Sequence, residues 1–139
     1  MVGVIDNEGD YAEWNFPAEA DAVRTARHAV RDTLRAWQVD PVIRDVTVLL
    51  VSELVTNSLR YASGPIGVRL VRPQQNGAGH PNLLVEVSDP LPDVPQERSA
   101  GPDDEGGRGL QLVACTARRW GTRKGRAGKT VWFELALPG

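Results

Sequence analysis

The chain has 139 residues and a mass of 15.1 kDa, which fits one domain and is too small for two. Its 41% apolar and 24% charged residues are typical of a soluble globular protein. The net charge of -2 shows no basic excess, and we therefore expect no direct nucleic-acid partner and no anionic-lipid partner. The longest apolar stretch, residues 46–51, is far too short to cross a bilayer, so no membrane association is expected.

Cysteine and histidine usage argues against a disulfide framework and against a structural zinc. Cys115 is the single cysteine, and His28 and His80 have no cysteine at metal-site spacing. A reducing compartment fits this composition best, and we expect the protein to be cytoplasmic. We expect Cys115 to be a small core residue of a helix and His28 to face solvent.

The N-terminal half is predicted to form one short strand, near residues 11–16, followed by two helices. Apolar residues recur at intervals of three and four over residues 18–37, which is typical of an amphipathic helix. A second helix is predicted to begin at Asp40-Pro41, because aspartate caps helices and proline suits the first helical position. Its apolar residues include Val42 and Leu49, and it is expected to end at Ser63-Gly64.

The C-terminal half is predicted to contain two hairpins separated by a loop and a third helix. Four short segments alternate with a period of two and are predicted strands: residues 66–71, 83–87, 120–123 and 130–137. Four prolines lie in residues 89–107, and we predict a mobile lid at about 90–107. Helical spacing resumes over residues 109–120. The predicted fold of residues 1–139 is α+β, one two-layer sandwich with helices covering one face of a mixed, mostly antiparallel sheet.

The second helix carries a polar stripe on an otherwise apolar element. Glu53 and Asn57 are four residues apart, and Arg60 follows three residues later, so one side presents a carboxylate, an amide and a guanidinium. Spacing alone also fits a solvated helix face. Two features elsewhere favour a binding site. Asp89 ends a strand, and Gly106-Gly107-Arg108-Gly109-Leu110 opens a helix whose free N–H groups and dipole favour a phosphate.

Taken in order, four sequence features resemble the ATP-binding fold of the GHKL superfamily over almost the whole chain, and this resemblance implies a Bergerat-type sandwich. The features are Glu53-Leu54-Val55-Thr56-Asn57, Asp89 at a strand end, Gly107-Arg108-Gly109-Leu110, and Lys129-Thr130 before the last strand. Within the superfamily, the chain is most similar to the short actinobacterial relatives of RsbW-type anti-sigma factor serine/threonine kinases. The resemblance implies an ATP pocket between the helices and the lid.

The resemblance also implies roles for individual residues around the phosphates. Asn57 would ligate Mg²⁺ through its amide oxygen, Glu53 would act as general base or water positioner, and Arg60 would lie near the phosphates. Gly107 and Gly109, followed by Leu110, would let the third helix approach the phosphates, with Arg108 as a further phosphate contact.

Asp89 would accept a hydrogen bond from the adenine amino group, which guanine lacks at that position, and Thr130 would support the same base. The chain departs from the superfamily pattern Asp-x-Gly-x-Gly, because it has Asp89-Pro90-Leu91-Pro92-Asp93. Both glycines are replaced, and two prolines restrict the backbone, so a stiffer lid is expected.

Three functions remain open at this point. The resemblance implies an ATP- and Mg²⁺-dependent kinase, expected as a homodimer, that binds a sigma factor and phosphorylates a serine or threonine of a STAS-domain anti-anti-sigma protein. The alternative is a non-catalytic binding module in which ATP gates the choice of a regulatory partner. A sensor-kinase catalytic domain ranks last, because no helical hairpin with a phospho-accepting histidine is evident.

Overall fold

A computed structural model describes residues 9–61, 64–73, 82–90, 105–126 and 128–138. Eight elements follow one another in the predicted order: β1 (Asp10–Phe16), α1 (Ala22–Ala36), α2 (Pro41–Tyr61), β2 (Ile66–Arg72), β3 (Asn82–Asp89), α3 (Glu105–Thr116), β4 (Arg119–Lys124) and β5 (Lys129–Ala136). This is the expected α+β sandwich. Most of the predicted lid and His80 lie outside the described residues.

The five strands form one sheet in the order β1-β2-β3-β5-β4, and every pairing is antiparallel. Both predicted hairpins are present, β2 with β3 and β4 with β5. Successive side chains of a strand point to opposite faces, so each strand contributes to two surfaces. On β3, Leu83, Val85, Val87 and Asp89 are buried on the helix-covered face, whereas the residues between them lie on the other face.

Helices α1 and α2 pack against each other over one face of the sheet. On α1 the buried residues Ala22, Ala26, Val30 and Leu34 repeat every four positions and form the stripe that faces the core. Helix α2 begins at Pro41 as predicted, and the carboxylate of Asp40 accepts a hydrogen bond from the Val42 N–H at 3.0 Å.

The core lies between this helical layer and the sheet, and its largest fully buried side chain is Phe133. Helix α3 packs against α2 and contributes the fully buried Val113. Among the described residues, no helix has both the length and the apolar character needed to cross a membrane.

Two local expectations are wrong. Cys115 is exposed, because it lies two residues after the buried Val113, which is more than half a turn around α3. Helix α3 also begins earlier and ends earlier than predicted, whereas Trp120 lies in β4, in agreement with the strand predicted over residues 120–123.

Two apolar residues of α2 lie on its outer face. Val42 and Leu49 are 67% and 48% exposed and are seven residues apart, whereas Leu50 points into the core with no exposure.

Candidate functional site

The site begins at the end of β3, where a carboxylate lies on the core side of the sheet. Asp89 is only 9% exposed, and its Oδ2 accepts a hydrogen bond from the Ser58 hydroxyl at 2.7 Å. Ser58 lies in the buried stripe of α2, seven residues after Val51 and four after Leu54. A hydrogen bond from a buried hydroxyl fixes the orientation of the carboxylate. A carboxylate has a second oxygen, which can accept a hydrogen bond from an amino group.

Asn57, the residue before Ser58, presents a buried amide oxygen. Its Oδ1 has no hydrogen-bond partner among the described residues. An unsatisfied buried oxygen is costly, and it is expected where a ligand completes the site. Glu53 lies one turn earlier on the same helix and is partly buried, whereas Arg60 is exposed in the last turn; both make interactions within the protein.

The start of α3 packs against the same part of α2. A Cβ added at Gly109 would lie 3.7 Å from the Glu53 carbonyl oxygen and 3.8 Å from the Glu53 Cβ, so the two backbones are in van der Waals contact range. Leu110 is partly buried against the core. Gly107 and Arg108 belong to the first turn of α3, but the side chain of Arg108 lies outside the described residues. The structure thus brings Gly109 and Glu53 close together.

The structure does not place the Thr130 side chain beside the Asp89 carboxylate. It pairs with Ser88 across the sheet, and the two hydroxyl oxygens are 2.7 Å apart. Because side chains alternate along a strand, Ser88 and Thr130 lie on the face opposite the Asp89 carboxylate. The residue in register with Asp89 is Lys129.

The turn between β4 and β5 lies in close contact with the backbone of Asp89. A Cβ added at Gly128 would lie 2.2 Å from the Asp89 carbonyl oxygen and 3.1 Å from the Pro90 Cα. On the other side, a Cβ at Gly64 would lie 2.9 Å from the Pro90 Cγ. The segment that leaves β3 is therefore enclosed between two glycines at the point where the chain enters the predicted lid.

Sequence reasoning gave no role to three residues of this site: Ser58, Gly128, and Lys129, which it named only within the Lys129-Thr130 pair. A signal for Ser58 was present, since it is a hydroxyl residue inside the apolar stripe of α2. Lys129 follows from strand alternation once the β3 and β5 register is known. Gly128 had no signal in the sequence, because its close approach to Asp89 is a tertiary contact.

These residues fit a magnesium nucleotide. Asn57 Oδ1 is one neutral oxygen, which suits a hard cation that keeps several of its waters. No group of three or more His, Cys, Asp or Glu side chains that could hold a metal is found in the described part of the chain. The buried Asp89 carboxylate fits the amino group of a base.

The comparisons with known proteins agree with this geometry. Thirteen chains of solved structures match this chain. One of them contains the RsbU and RsbW domains of Rv1364c from Mycobacterium tuberculosis, and it matches with a TM-score of 0.68 and 20% sequence identity. That match covers 92% of this chain and 32% of the other, so the present chain spans about a third of that protein, and the likeness concerns the fold. No curated protein matches. The model of the histidine kinase-like ATPase domain matches residues 16–135. The chain therefore belongs to the histidine kinase-like ATPase domain family.

Proposed function

We propose that the chain binds ATP with Mg²⁺ between α2, the end of β3 and the start of α3, and transfers the γ-phosphoryl group to a protein hydroxyl. The family is one of ATPase domains, which supports ATP as the nucleotide. The observation that carries the proposal is the buried, unpartnered Oδ1 of Asn57, located one residue before the Ser58 that orients Asp89.

Each of these residues has a defined part in the proposed reaction. Asp89 accepts a hydrogen bond from the 6-amino group of adenine, while Ser58 keeps its carboxylate in place. The amide oxygen of Asn57 holds Mg²⁺, which when bound offsets the negative charge of the phosphates. The first turn of α3 directs its free N–H groups and its dipole toward the phosphates.

The transfer itself is assigned to Glu53. Its carboxylate takes the proton of the attacking serine or threonine hydroxyl. The hydroxyl oxygen forms a bond to the γ-phosphorus as the bond between that phosphorus and the bridging oxygen breaks, and ADP leaves. The resemblance to RsbW-type kinases supports a STAS-domain anti-anti-sigma protein as phosphate acceptor and a sigma factor as the alternating partner. By the same resemblance, we propose a homodimer.

Calorimetric titration with ATP tests the pocket. We expect binding that weakens when Mg²⁺ is removed, weakens in Asn57→Ala, and is stronger for ATP than for GTP. Thr56→Ala is the matched control, because Thr56 is exposed and its hydroxyl already bonds to the Ser52 carbonyl of its own helix at 2.7 Å. Equal ATP binding by Asn57→Ala and the wild type, with and without Mg²⁺, would contradict the assignment of Asn57.

A second function, the ATP-gated binding module, is favoured by one specific contact. Pro90 stands where a flexible segment would begin and is enclosed by Gly64 and Gly128. A restrained segment suits a pocket that binds ATP without the closure that phosphoryl transfer requires. Glu53→Gln separates the two functions. If the chain is a kinase, the variant no longer phosphorylates the partner but still binds ATP. If the chain is a binding module, the wild type itself does not phosphorylate the partner.

A further inference from the structure

The face of the sheet opposite the helices carries a groove, and only its end near Asp89, Pro90 and Gly128 adjoins the proposed ATP site. All described helices pack on the other face. The groove has a volume of about 840 Å³ and runs along the ends of β1, β2, β3 and β5 to the β4–β5 turn. This volume lies within the range of about 300–1,000 Å³ that is typical of ligand sites.

The floor of the groove contains one buried carboxylate between two arginines. Glu86 is 8% exposed; its Oε1 lies 3.0 Å from Nε of Arg69, and its Oε2 lies 3.0 Å from Nη2 of Arg123. Within the described part of the chain, the Arg69 Nε–H makes no hydrogen bond. Two guanidinium groups therefore share the Glu86 carboxylate.

The rim of the groove adds further positive charge. Lys124, Arg126 and Lys129 lie around the β4–β5 turn, and none of them has an acidic partner within ion-pair distance among the described residues. Five basic and three acidic residues line the groove, so it is positive although the chain is net negative. Two of these acidic groups, Glu13 and Asp89, accept hydrogen bonds from the neutral hydroxyls of Tyr11 and Ser58 and keep their own charge.

We propose that this groove binds an acidic peptide segment of a partner protein, whose carboxylates pair with Arg69 and Arg123. Its positive charge complements aspartate and glutamate side chains, and guanidinium groups bind carboxylates in a bidentate manner. The exposed ring of Tyr11 lies 5.7 Å from Cζ of Arg69, so a nucleic-acid strand is the competing ligand that the test must separate. Arg69, Glu86 and Arg123 lie on the other face of the sheet from Asn57, and the proposal does not depend on ATP binding.

Fluorescence anisotropy with a fluorescein-labelled poly-glutamate peptide at low salt tests the proposal. We expect Arg69→Gln/Arg123→Gln to weaken binding by about tenfold or more, since two charge-assisted contacts are lost. Arg24→Gln/Arg27→Gln removes the same charge from exposed positions of α1 and is expected to change affinity by less than about twofold. Equal losses in both variants, or no peptide binding by the wild type, would overturn the proposal. So would tighter binding of an oligothymidylate through the same arginines.

A variant that is expected to raise peptide affinity distinguishes a specific effect from loss of folding. Glu86→Gln removes the carboxylate that occupies both guanidinium groups, and we expect it to bind the peptide about threefold more tightly or better. A gain of affinity does not arise from loss of structure. Lys124→Gln/Arg126→Gln changes only exposed rim residues and is expected to weaken binding. Weaker binding by a folded Glu86→Gln, or unchanged binding by the rim variant, would refute the assigned site.

Discussion

The contact between Gly128 and the backbone of Asp89 gives the sharpest test of how the candidate site is built. Alanine at position 128 would place a methyl group 2.2 Å from the Asp89 carbonyl oxygen and 3.0 Å from its carbonyl carbon. The atoms in the way belong to backbone, so no side-chain rotation relieves the clash. Either the β4–β5 turn or the end of β3 must move by roughly 1 Å.

Overpacking of this kind costs about 1–3 kcal/mol of the free energy of unfolding. For a domain of this size the expected fall in Tm is about 4 °C per kcal/mol, which gives about 4–12 °C. Movement of the end of β3 also displaces the Asp89 carboxylate from Ser58 and from the adenine position. We therefore expect Gly128→Ala to weaken ATP binding by about tenfold or more.

Calorimetric melting and ATP titration measure both effects, and the same turn supplies a matched control. A Cβ added at Gly125 meets no atom within 4 Å, so Gly125→Ala is expected to leave Tm unchanged or raise it slightly through the lower entropy of the unfolded chain. If Gly128→Ala melts with the wild type and binds ATP equally well, the turn does not support Asp89 and the reasoning is refuted.

Two further substitutions test the site and the core. Ser58→Ala removes the hydrogen bond to the buried Asp89. We expect it to lower the free energy of chemical unfolding by about 1–3 kcal/mol and to weaken ATP binding. Unchanged stability and affinity would show that Ser58 does not orient the carboxylate. Leu50→Ala is expected to lower the free energy of unfolding by about 2–5 kcal/mol. Leu49→Ala, at the neighbouring position that is 48% exposed, is expected to lower it by less than about 0.5 kcal/mol. Equal losses in the two variants would contradict the orientation of α2.

The sequence predicts the elements and their order because local signals for them are strong. The Asp40-Pro41 pair marks the start of α2, and the period-two segments mark the strands. Antiparallel pairing of β2 with β3 follows from their closeness in the chain. The exposed Cys115 was misplaced, because apolar character alone does not specify which side of a helix faces the core.

The candidate site was likewise only partly predictable from the sequence. Glu53, Asn57 and Gly109 were predicted as site residues from motif order, and the structure places α2 and the start of α3 against each other. The environment of Asp89 was not predictable from motifs, since it depends on which residue of β5 stands opposite which residue of β3. That register puts Lys129 beside Asp89 and turns Thr130 to the opposite face.

The register of β3 therefore separates the two surfaces of this molecule. Val87 and Asp89 lie on the helix-covered face, whereas Glu86 and Ser88 lie on the open face. A slip of one residue would bury Glu86 among apolar side chains and expose Val87, at a cost of several kcal/mol for the unpaired buried charge. The Ser58 bond and the Gly128 contact both act on Asp89, the last residue of the strand. The contacts that shape the proposed adenine site thus also hold Glu86 and its two arginines in the open groove.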